Sequence, residues 1–227
     1  LNESATTLAE AARANGFATG AFVGAFPLDR QFGLSQGFDV YDDVSQTRVA
    51  PSDFAFAERR AGDVVEKARS WIGQQQKPWF TWVHVFDPHS PYAAPSPFAQ
   101  QYPGDQYAAE VAYTDSALGP LLELARSGSR PTTVVVTADH GEGLGEHNEA
   151  THGVFAYEST LRVPLILAQV GAGARRSQRI VSDASVRHID IAPTLAALTG
   201  VELPGLPGRS LLDALEHNDE PPPVYFE

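Results

Sequence analysis

Apolar and polar residues recur along the chain with two different periods, and each period predicts one kind of element. Helical spacing predicts four helices, at residues 2–15, over much of 53–75, at 107–126 and at 191–198. Short β-branched, aromatic or aliphatic runs predict four strands, at residues 17–23, 79–86, 132–137 and 163–167. Because strands alternate with helices, we expect an α/β fold with a mostly parallel sheet covered on both faces.

Particular residues define the ends and faces of these helices. Asn2 or Ser4 is expected to cap the first helix, and Asp190 the last one. The apolar stripe of the third helix consists of Val111, Leu118, Leu121, Leu122 and Ala125. This stripe predicts the buried face of that helix.

Composition narrows the class of protein. Of the 227 residues, 43% are hydrophobic, which is enough for a sizeable core. The net charge of −12 and the lack of any cluster of Lys and Arg argue against a nucleic-acid partner. No cysteine is present, so disulfides and thiolate chemistry are excluded. No apolar run approaches the roughly 20 residues that span a bilayer, so we predict no membrane segment within the chain.

The two ends suggest a piece of a longer protein. The chain begins at Leu1 and contains no methionine, and it stops at Glu227 just as a strand-like run begins. We therefore expect both ends to be truncated. The compartment stays open: periplasmic, extracellular and membrane-attached locations are all compatible with the sequence.

The loop after the predicted strand at 132–137 carries the strongest chemical signal. Asp139 and His140 stand side by side there, followed by three glycines and two further histidines. Ligands of open α/β sheets bind at the carboxyl ends of strands, where an adjacent carboxylate and imidazole can hold a divalent cation. We therefore predict Asp139 and His140 as metal ligands, with a simple turn or cap as the alternative.

Two further histidines are expected at the same edge of the sheet. His89 lies between two prolines just after the strand at 79–86, and His152 precedes the strand at 163–167. Imidazoles can bind an oxyanion or donate a proton to a leaving group, and a metal can polarise an ester. His89 and His152 are therefore the candidate catalytic and substrate-binding residues for cleaving a sulfate or phosphate ester. Incidental loop histidines are the alternative.

Other polar and aromatic residues near these segments receive mainly structural interpretations. Glu142 and Glu146 either orient the metal ligands from behind or are solvated loop carboxylates. Trp79, Trp82 and His84 are expected in the core rather than at a substrate.

Five blocks of sequence, taken in order, resemble the sulfatases of the alkaline phosphatase superfamily. They are FVG at 22–24, VHVFDPHSPY at 83–92, TADHGEGLGEH at 137–147, HGVFAYE to LRVPLI over 152–166, and DIAPT at 190–194. The resemblance implies a three-layer α/β/α sandwich around a mixed, mostly parallel sheet. Residues 1–227 would form the central and C-terminal part of one sulfatase-like catalytic domain.

The resemblance also implies a reaction and roles for residues. The expected reaction is hydrolysis of a small-molecule or glycan sulfate ester with one divalent cation, usually Ca²⁺, with Mn²⁺ or Zn²⁺ as alternatives. Asp139 and His140 match late metal ligands of the family. His89 matches the histidine beside the scissile ester, and His152 stands where many relatives place a Lys or His on the sulfate.

Two departures keep other functions open. The nucleophile, a formylglycine or a Ser/Thr, and the first metal-binding aspartates are expected upstream of the block at 22–24, in a segment outside this chain. We therefore expect this fragment alone to be inactive. The residue after Asp139 is often Asn in arylsulfatases, whereas His140 resembles phosphonate monoester hydrolases and phosphodiesterases. These enzymes, a phosphoglycerol transferase, a catalytically inactive binding domain and a purely structural metal site are the alternatives.

Overall fold

The computed structural model describes residues 5–43, 58–174, 179–203 and 205–213. Contacts along the backbone divide the chain into two compact units. The first unit comprises Leu1–Asp87, Val111–Leu121 and Gln178–Glu227, and the second comprises Pro88–Glu110 and Leu122–Ser177. The expectation of one catalytic domain over residues 1–227 stays a prediction.

The first unit is built around a three-stranded parallel sheet. Its early elements are α1 (Leu8–Ala14), β1 (Ala18–Val23), β2 (Val40–Asp42), α2 (Ala61–Gly73) and β3 (Trp79–His84). The strand order is β2-β1-β3, and both pairings are parallel. The short strand β2 lies outside the four strands predicted from the sequence.

Both faces of β1 are covered, as expected for a parallel sheet between helices. On one face Phe22 packs with Val64 and Ala68 of α2. On the other face Ala21 and Val23 pack with Tyr41, and Trp82 lies against this cluster. The alternation of side chains along a strand therefore places successive β1 residues in two different cores, and the structural interpretation of Trp82 is confirmed.

Helix α1 begins later than the sequence predicted. Thr7 Oγ1 accepts a hydrogen bond from the Glu10 N–H at 3.1 Å, and Glu10 Oε2 accepts one from the Thr7 N–H at 2.9 Å. This reciprocal capping box fixes the start of the helix at Leu8. The prediction that Asn2 or Ser4 caps the helix was wrong, and both of those residues lie outside the described ranges.

The second unit contains an antiparallel pair of strands and short helices. Its elements are α3 (Phe98–Gln101), the two ends of α4 (Gln106–Ser127), β4 (Thr132–Thr137), α5 (Glu158–Leu161) and β5 (Leu165–Val170). Thr137 at the end of β4 pairs with Leu165 at the start of β5. The loop that carries Asp139 therefore leaves β4 beside the point where β5 begins.

The last helix of the first unit is α6 (Ile191–Thr199), which ends at Gly200 with a φ of 73°. Asp190 does not cap it: no hydrogen bond joins its side chain to the helix, so that prediction was wrong. The carboxylate instead accepts hydrogen bonds from the backbone N–H groups of Arg187 at 2.9 Å and Arg209 at 3.0 Å. Among the described residues, no helix combines the length and apolarity needed to cross a membrane.

Candidate active site

All four residues that the sequence singled out for chemistry lie in the second unit. The ring of His152 lies 4.0 Å from that of His140 between centroids. It lies 5.3 Å from the ring of His89, at an interplanar angle of 70°. The loop around His89 and two parts of the connection between β4 and α5 therefore bring three imidazoles together, with Asp139 adjacent to one of them.

Asp139 and His140 present an oxygen and a nitrogen side by side. The His140 Nδ1–H donates to the Gly141 carbonyl at 2.9 Å, so the lone pair of the neutral ring lies on Nε2. That Nε2 is 3.8 Å from Asp139 Oδ2, and both residues are exposed. This arrangement leaves one carboxylate oxygen and one imidazole nitrogen available to a shared cation.

The donor set fits part of a metal site. Among the residues that the structure describes, no group of three or more His, Asp or Glu side chains is placed to hold a metal ion. Calcium prefers oxygen ligands, whereas manganese and zinc accept imidazole more readily. Asp139 and His140 thus stay the predicted ligands, and their chemistry suits a cation that takes both oxygen and nitrogen.

Glycines let the Asp139 loop lie directly against the His152 segment. Gly141 N–H donates to the Thr160 carbonyl at 2.8 Å, and Gly143 N–H to the Thr151 carbonyl at 2.7 Å. A Cβ on Gly141 would lie 2.1 Å from the backbone oxygen of Ser159. Any other residue would push these two backbones apart, so the glycines keep His140 and His152 within contact distance.

Glu142 joins two side chains of the site. Its side chain is only 7% exposed, and its carboxylate accepts a hydrogen bond from the His152 Nδ1–H at 3.1 Å. Its other oxygen accepts the Tyr92 hydroxyl hydrogen at 2.8 Å. Burial is the main cause that raises the pKa of the Tyr92 hydroxyl above its usual value of 10.0, and the hydrogen bond to Glu142 is the second. Of the two interpretations of Glu142, the solvated one was wrong.

Glu110 supports His89 from the other side. This residue of α4 is 2% exposed, and its carboxylate accepts the His89 N–H at 3.1 Å and the Ala93 N–H at 2.8 Å. The His89 Nδ1–H donates to the Ser90 carbonyl at 2.7 Å, so the lone pair of the neutral ring is on Nε2. Glu110 was not among the predicted site residues, although its position three helical turns before Leu121 places it on the same helix face as that apolar residue.

Solved structures identify the fold. A protein of the alkaline phosphatase superfamily from Vibrio parahaemolyticus superposes with a TM-score of 0.66 at 24% identity, over 91% of this chain and 50% of that one. The phosphonate monoester hydrolase of Agrobacterium radiobacter gives a TM-score of 0.67 at 20% identity, over 97% of this chain and 63% of that one. The predicted alkaline phosphatase-like α/β fold is therefore confirmed.

The sequence then identifies the family. The model of the sulfatase family matches residues 1–201, so the chain belongs to the sulfatase family. The chain is 33% identical over 128 residues to the uncharacterized sulfatase YidJ of Escherichia coli, covering 55% of this chain and 25% of that protein. It is 37% identical over 126 residues to the N-acetylglucosamine-6-O-sulfatase of Bacteroides thetaiotaomicron, covering 54% of this chain and 22% of that protein. In both comparisons the chain spans about a quarter or less of the relative's length.

Proposed function

We propose that the protein hydrolyses sulfate monoesters, giving an alcohol and inorganic sulfate. The observation that carries the proposal is the grouping of the His89, His140 and His152 rings within one compact unit. In a chain of the sulfatase family, such a cluster next to a carboxylate suits an anionic ester better than a neutral ligand. Protonated imidazoles complement the charge of the sulfate, and one of them can protonate the departing oxygen.

The two outer histidines receive different roles in this proposal. His89 and His152 each donate from Nδ1 to a fixed acceptor, and we assign the Nε2 of each ring to the ligand. His152 binds a sulfate oxygen. His89 donates its Nε2 proton to the ester oxygen that leaves as the alcohol, a contribution of about 10²–10⁴ in rate for a placed general acid. No residue of this chain is assigned as the nucleophile, and an upstream formylglycine or Ser/Thr stays a prediction from the resemblance.

Asp139 and His140 would hold the divalent cation that the family implies. When bound, such a cation stabilises negative charge on the ester. Ca²⁺, Mn²⁺ and Zn²⁺ are the candidate ions, and the imidazole donor favours the last two.

The relatives support a sulfated sugar as substrate. The Bacteroides thetaiotaomicron relative is by name an N-acetylglucosamine-6-O-sulfatase. We therefore propose a glycan sulfate ester. The loops that select the sugar vary widely on a common fold, so fold and family alone do not define it.

A second candidate function is hydrolysis of phosphonate monoesters or phosphodiesters. His140 favours it, because that position follows Asp139 and is often Asn in arylsulfatases. The similarity to the Agrobacterium radiobacter enzyme is one of fold only and does not discriminate between the two.

The test compares esters that differ only in the transferred group. The full-length protein, loaded in turn with Ca²⁺, Mn²⁺ and Zn²⁺, is assayed on nitrophenyl sulfate, a nitrophenyl phosphonate, a nitrophenyl phosphodiester and a sugar sulfate. We expect the highest kcat/KM for a sulfate. A preference for the phosphonate or diester would support the second candidate, and a folded, metal-loaded protein without turnover would be a binding domain.

Variants assign the roles. His89→Ala should lower kcat on the sugar sulfate by about a hundredfold or more but affect nitrophenyl sulfate much less, because nitrophenolate leaves without a proton. His152→Ala should lower kcat/KM for both substrates by a similar factor. His188→Ala, at an exposed histidine of the first unit, is the matched control. Equal losses on the two leaving groups in His89→Ala would contradict the general-acid role.

A further inference from the structure

We propose that Glu142 is a positioning residue that fixes the ring of His152, so that its Nε2 and not its Nδ1 is presented to the sulfate group. The proposal rests on the proposed function for the meaning of that orientation. The orientation itself can be measured without turnover. Glu142 does not contact the substrate in this role and acts only through His152.

The contact between the two side chains has one chemical interpretation. A carboxylate can only accept, so the 3.1 Å contact between Glu142 Oε1 and His152 Nδ1 requires a proton on Nδ1. The lone pair of the neutral ring, or the second proton of the charged ring, is then on Nε2. The hydrogen bond made by one ring nitrogen therefore selects the chemistry available at the other.

The carboxylate is itself held, which is what a positioning role requires. The Glu142 side chain is only 7% exposed, and its second oxygen accepts the Tyr92 hydroxyl hydrogen at 2.8 Å. The Tyr92 ring packs edge-on against that of Tyr107, with centroids 5.6 Å apart. The neighbouring residues Gly141 and Gly143 are tied by backbone hydrogen bonds to Thr160 and Thr151. The hydrogen bond from Tyr92 and the backbone hydrogen bonds of Gly141 and Gly143 therefore restrict the Glu142 carboxylate to one position beside the His152 ring.

The position of the His152 ring shows why its orientation matters. The ring is tilted by 31° against that of His140 and is nearly perpendicular to that of His89, at 70°. A rotation that exchanged Nδ1 and Nε2 would break the bond to Glu142 and turn a different nitrogen toward the other two rings. Loss of Glu142 should therefore disorganise the anion-binding group while leaving the rest of the unit folded.

The experiment measures the tautomer of His152 directly. The full-length protein is labelled with ¹⁵N at histidine, and the long-range ¹H–¹⁵N spectrum is recorded at about pH 8.5, where a free imidazole is neutral. The His152 signals are assigned by their loss in His152→Ala. We expect a proton on Nδ1 in the wild type and in Glu142→Gln, whose amide oxygen can still accept. In Glu142→Ala we expect a mixture of tautomers or the Nε2–H form.

Activity is the second measurement. Glu142→Ala should lower kcat/KM for a sulfate ester by about tenfold to a hundredfold, the usual effect of losing a partner that orients a site imidazole. Glu142→Gln should recover most of this loss. Tyr92→Phe frees one oxygen of Glu142 but keeps the bond to His152, so it should retain the Nδ1–H tautomer. Glu123→Ala, at an exposed carboxylate of α4 that pairs with Arg126, is the control and should change neither measurement.

Two results would overturn the proposal: a wild-type His152 protonated on Nε2, or an unchanged His152 spectrum in a folded Glu142→Ala. If Glu142→Ala does not fold, the wild-type and Glu142→Gln spectra still decide the tautomer. A wild type that turns over no ester while its tautomer responds to Glu142→Ala would refute the proposed function and leave the positioning contact established.

Discussion

Single residues in the second unit determine how closely its loops can approach. A side chain on Gly141 would overlap the backbone that follows His152, and one on Gly143 would overlap the backbone that precedes it. The carboxylates of Glu110 and Glu142 accept hydrogen bonds from N–H and O–H groups of the same unit. The site histidines are therefore held mainly by residues that would not themselves touch a substrate.

Replacing Gly141 by Ala should destabilise the protein. The new Cβ would lie 2.1 Å from the Ser159 backbone oxygen, so the two backbones must separate, at a cost of about 1–3 kcal/mol or more. The free energy of unfolding from urea titration measures this. Gly73→Ala, at the end of α2 with no atom within 4 Å of the added Cβ, is the control and should be neutral or slightly stabilising. A Gly141→Ala variant as stable as wild type would contradict the close approach.

Replacing Glu110 by Gln tests the support of His89. Glu110 accepts two backbone N–H groups, whereas Gln offers one oxygen and one NH₂. One N–H would then face another donor and lose its partner, which costs about 1–3 kcal/mol. Glu123→Gln on the exposed surface of the same helix should cost little. Equal urea midpoints for the two variants would show that the Glu110 hydrogen bonds contribute nothing to stability.

The sequence revealed some of these residues but not others. Asp139, His140, His89 and His152 could be proposed because each lies next to the end of a strand-like run or in a recognisable block. Glu110 has no such local signature, since its role depends on which backbone N–H groups lie opposite it in the folded chain. Such partners are set by packing between distant segments and are absent from any short stretch of sequence.

At the scale of elements, the local sequence pattern predicts that a helix or strand exists better than it predicts which face is buried or in which direction two strands pair. The strand at 132–137 was predicted at its observed bounds, because its β-branched run has no competing interpretation. Strand β5 begins at Leu165 rather than at 163, since Pro164 has no N–H for the ladder. Its antiparallel pairing with β4 depends on the path of the intervening loop, which the run itself does not encode.

The apolar stripe predicted for α4 was partly wrong. Val111 and Leu122 are 43% and 41% exposed, whereas Ala109, Glu110 and Ala125 are buried. Periodicity fixes the angles between side chains on a helix but not which side of a broad apolar arc meets the neighbour. Here small residues and one hydrogen-bonded carboxylate occupy the packed side.

Because of Asp190 in the turn before α6, the free energy of unfolding should depend on pH in the acidic range. Burial alone would raise the pKa of Asp190, but hydrogen bonds from the Arg187 side chain and from the backbone N–H groups of Arg209 and Arg187 lower it below its ordinary value of 3.8. Since the folded-state pKa is the lower one, this contribution is complete above about pH 4 and is lost as pH falls further.

We therefore expect Asp190→Asn to be less stable than wild type at pH 7, with the difference shrinking below about pH 4. Urea titrations at pH 7, 4 and 3 measure it. Asp63→Asn, at an exposed carboxylate in the first turn of α2, is the control and should preserve the wild-type pH dependence. A constant difference between Asp190→Asn and wild type across this range would contradict the lowered pKa.

At the scale of the whole molecule, the excess of negative charge acts on every element at once. The net charge is −12, and the described ion pairs use only some of the acidic groups. Asp42 pairs with both Arg59 and Lys67, and Asp87 pairs with Arg60. The exposed pairs Arg69–Glu66 and Arg126–Glu123 contribute roughly 1 kcal/mol or less each, so we expect repulsion among the other carboxylates to dominate the response to salt.

Added salt should therefore stabilise the chain. Raising NaCl from about 0.01 to 0.15 M shortens the screening length from about 30 to 8 Å, which weakens repulsion among distant carboxylates more than attraction within a close pair. The urea midpoint should rise over this range, and KCl should act as NaCl does. A fall in the midpoint would mean that attractive pairs dominate the charge balance.

A divalent cation should add an effect that screening cannot produce. At equal ionic strength, MnCl₂ or CaCl₂ should raise the midpoint beyond the NaCl value, because a ligand of the folded state alone stabilises it by RT ln(1 + [L]/Kd). Asp139→Ala should abolish this excess and keep the NaCl response, since it removes one predicted ligand from a chain of net charge −12. If the extra rise in the urea midpoint survives in Asp139→Ala, the cation binds elsewhere. Asp139 would then affect stability only through its contribution to the net charge.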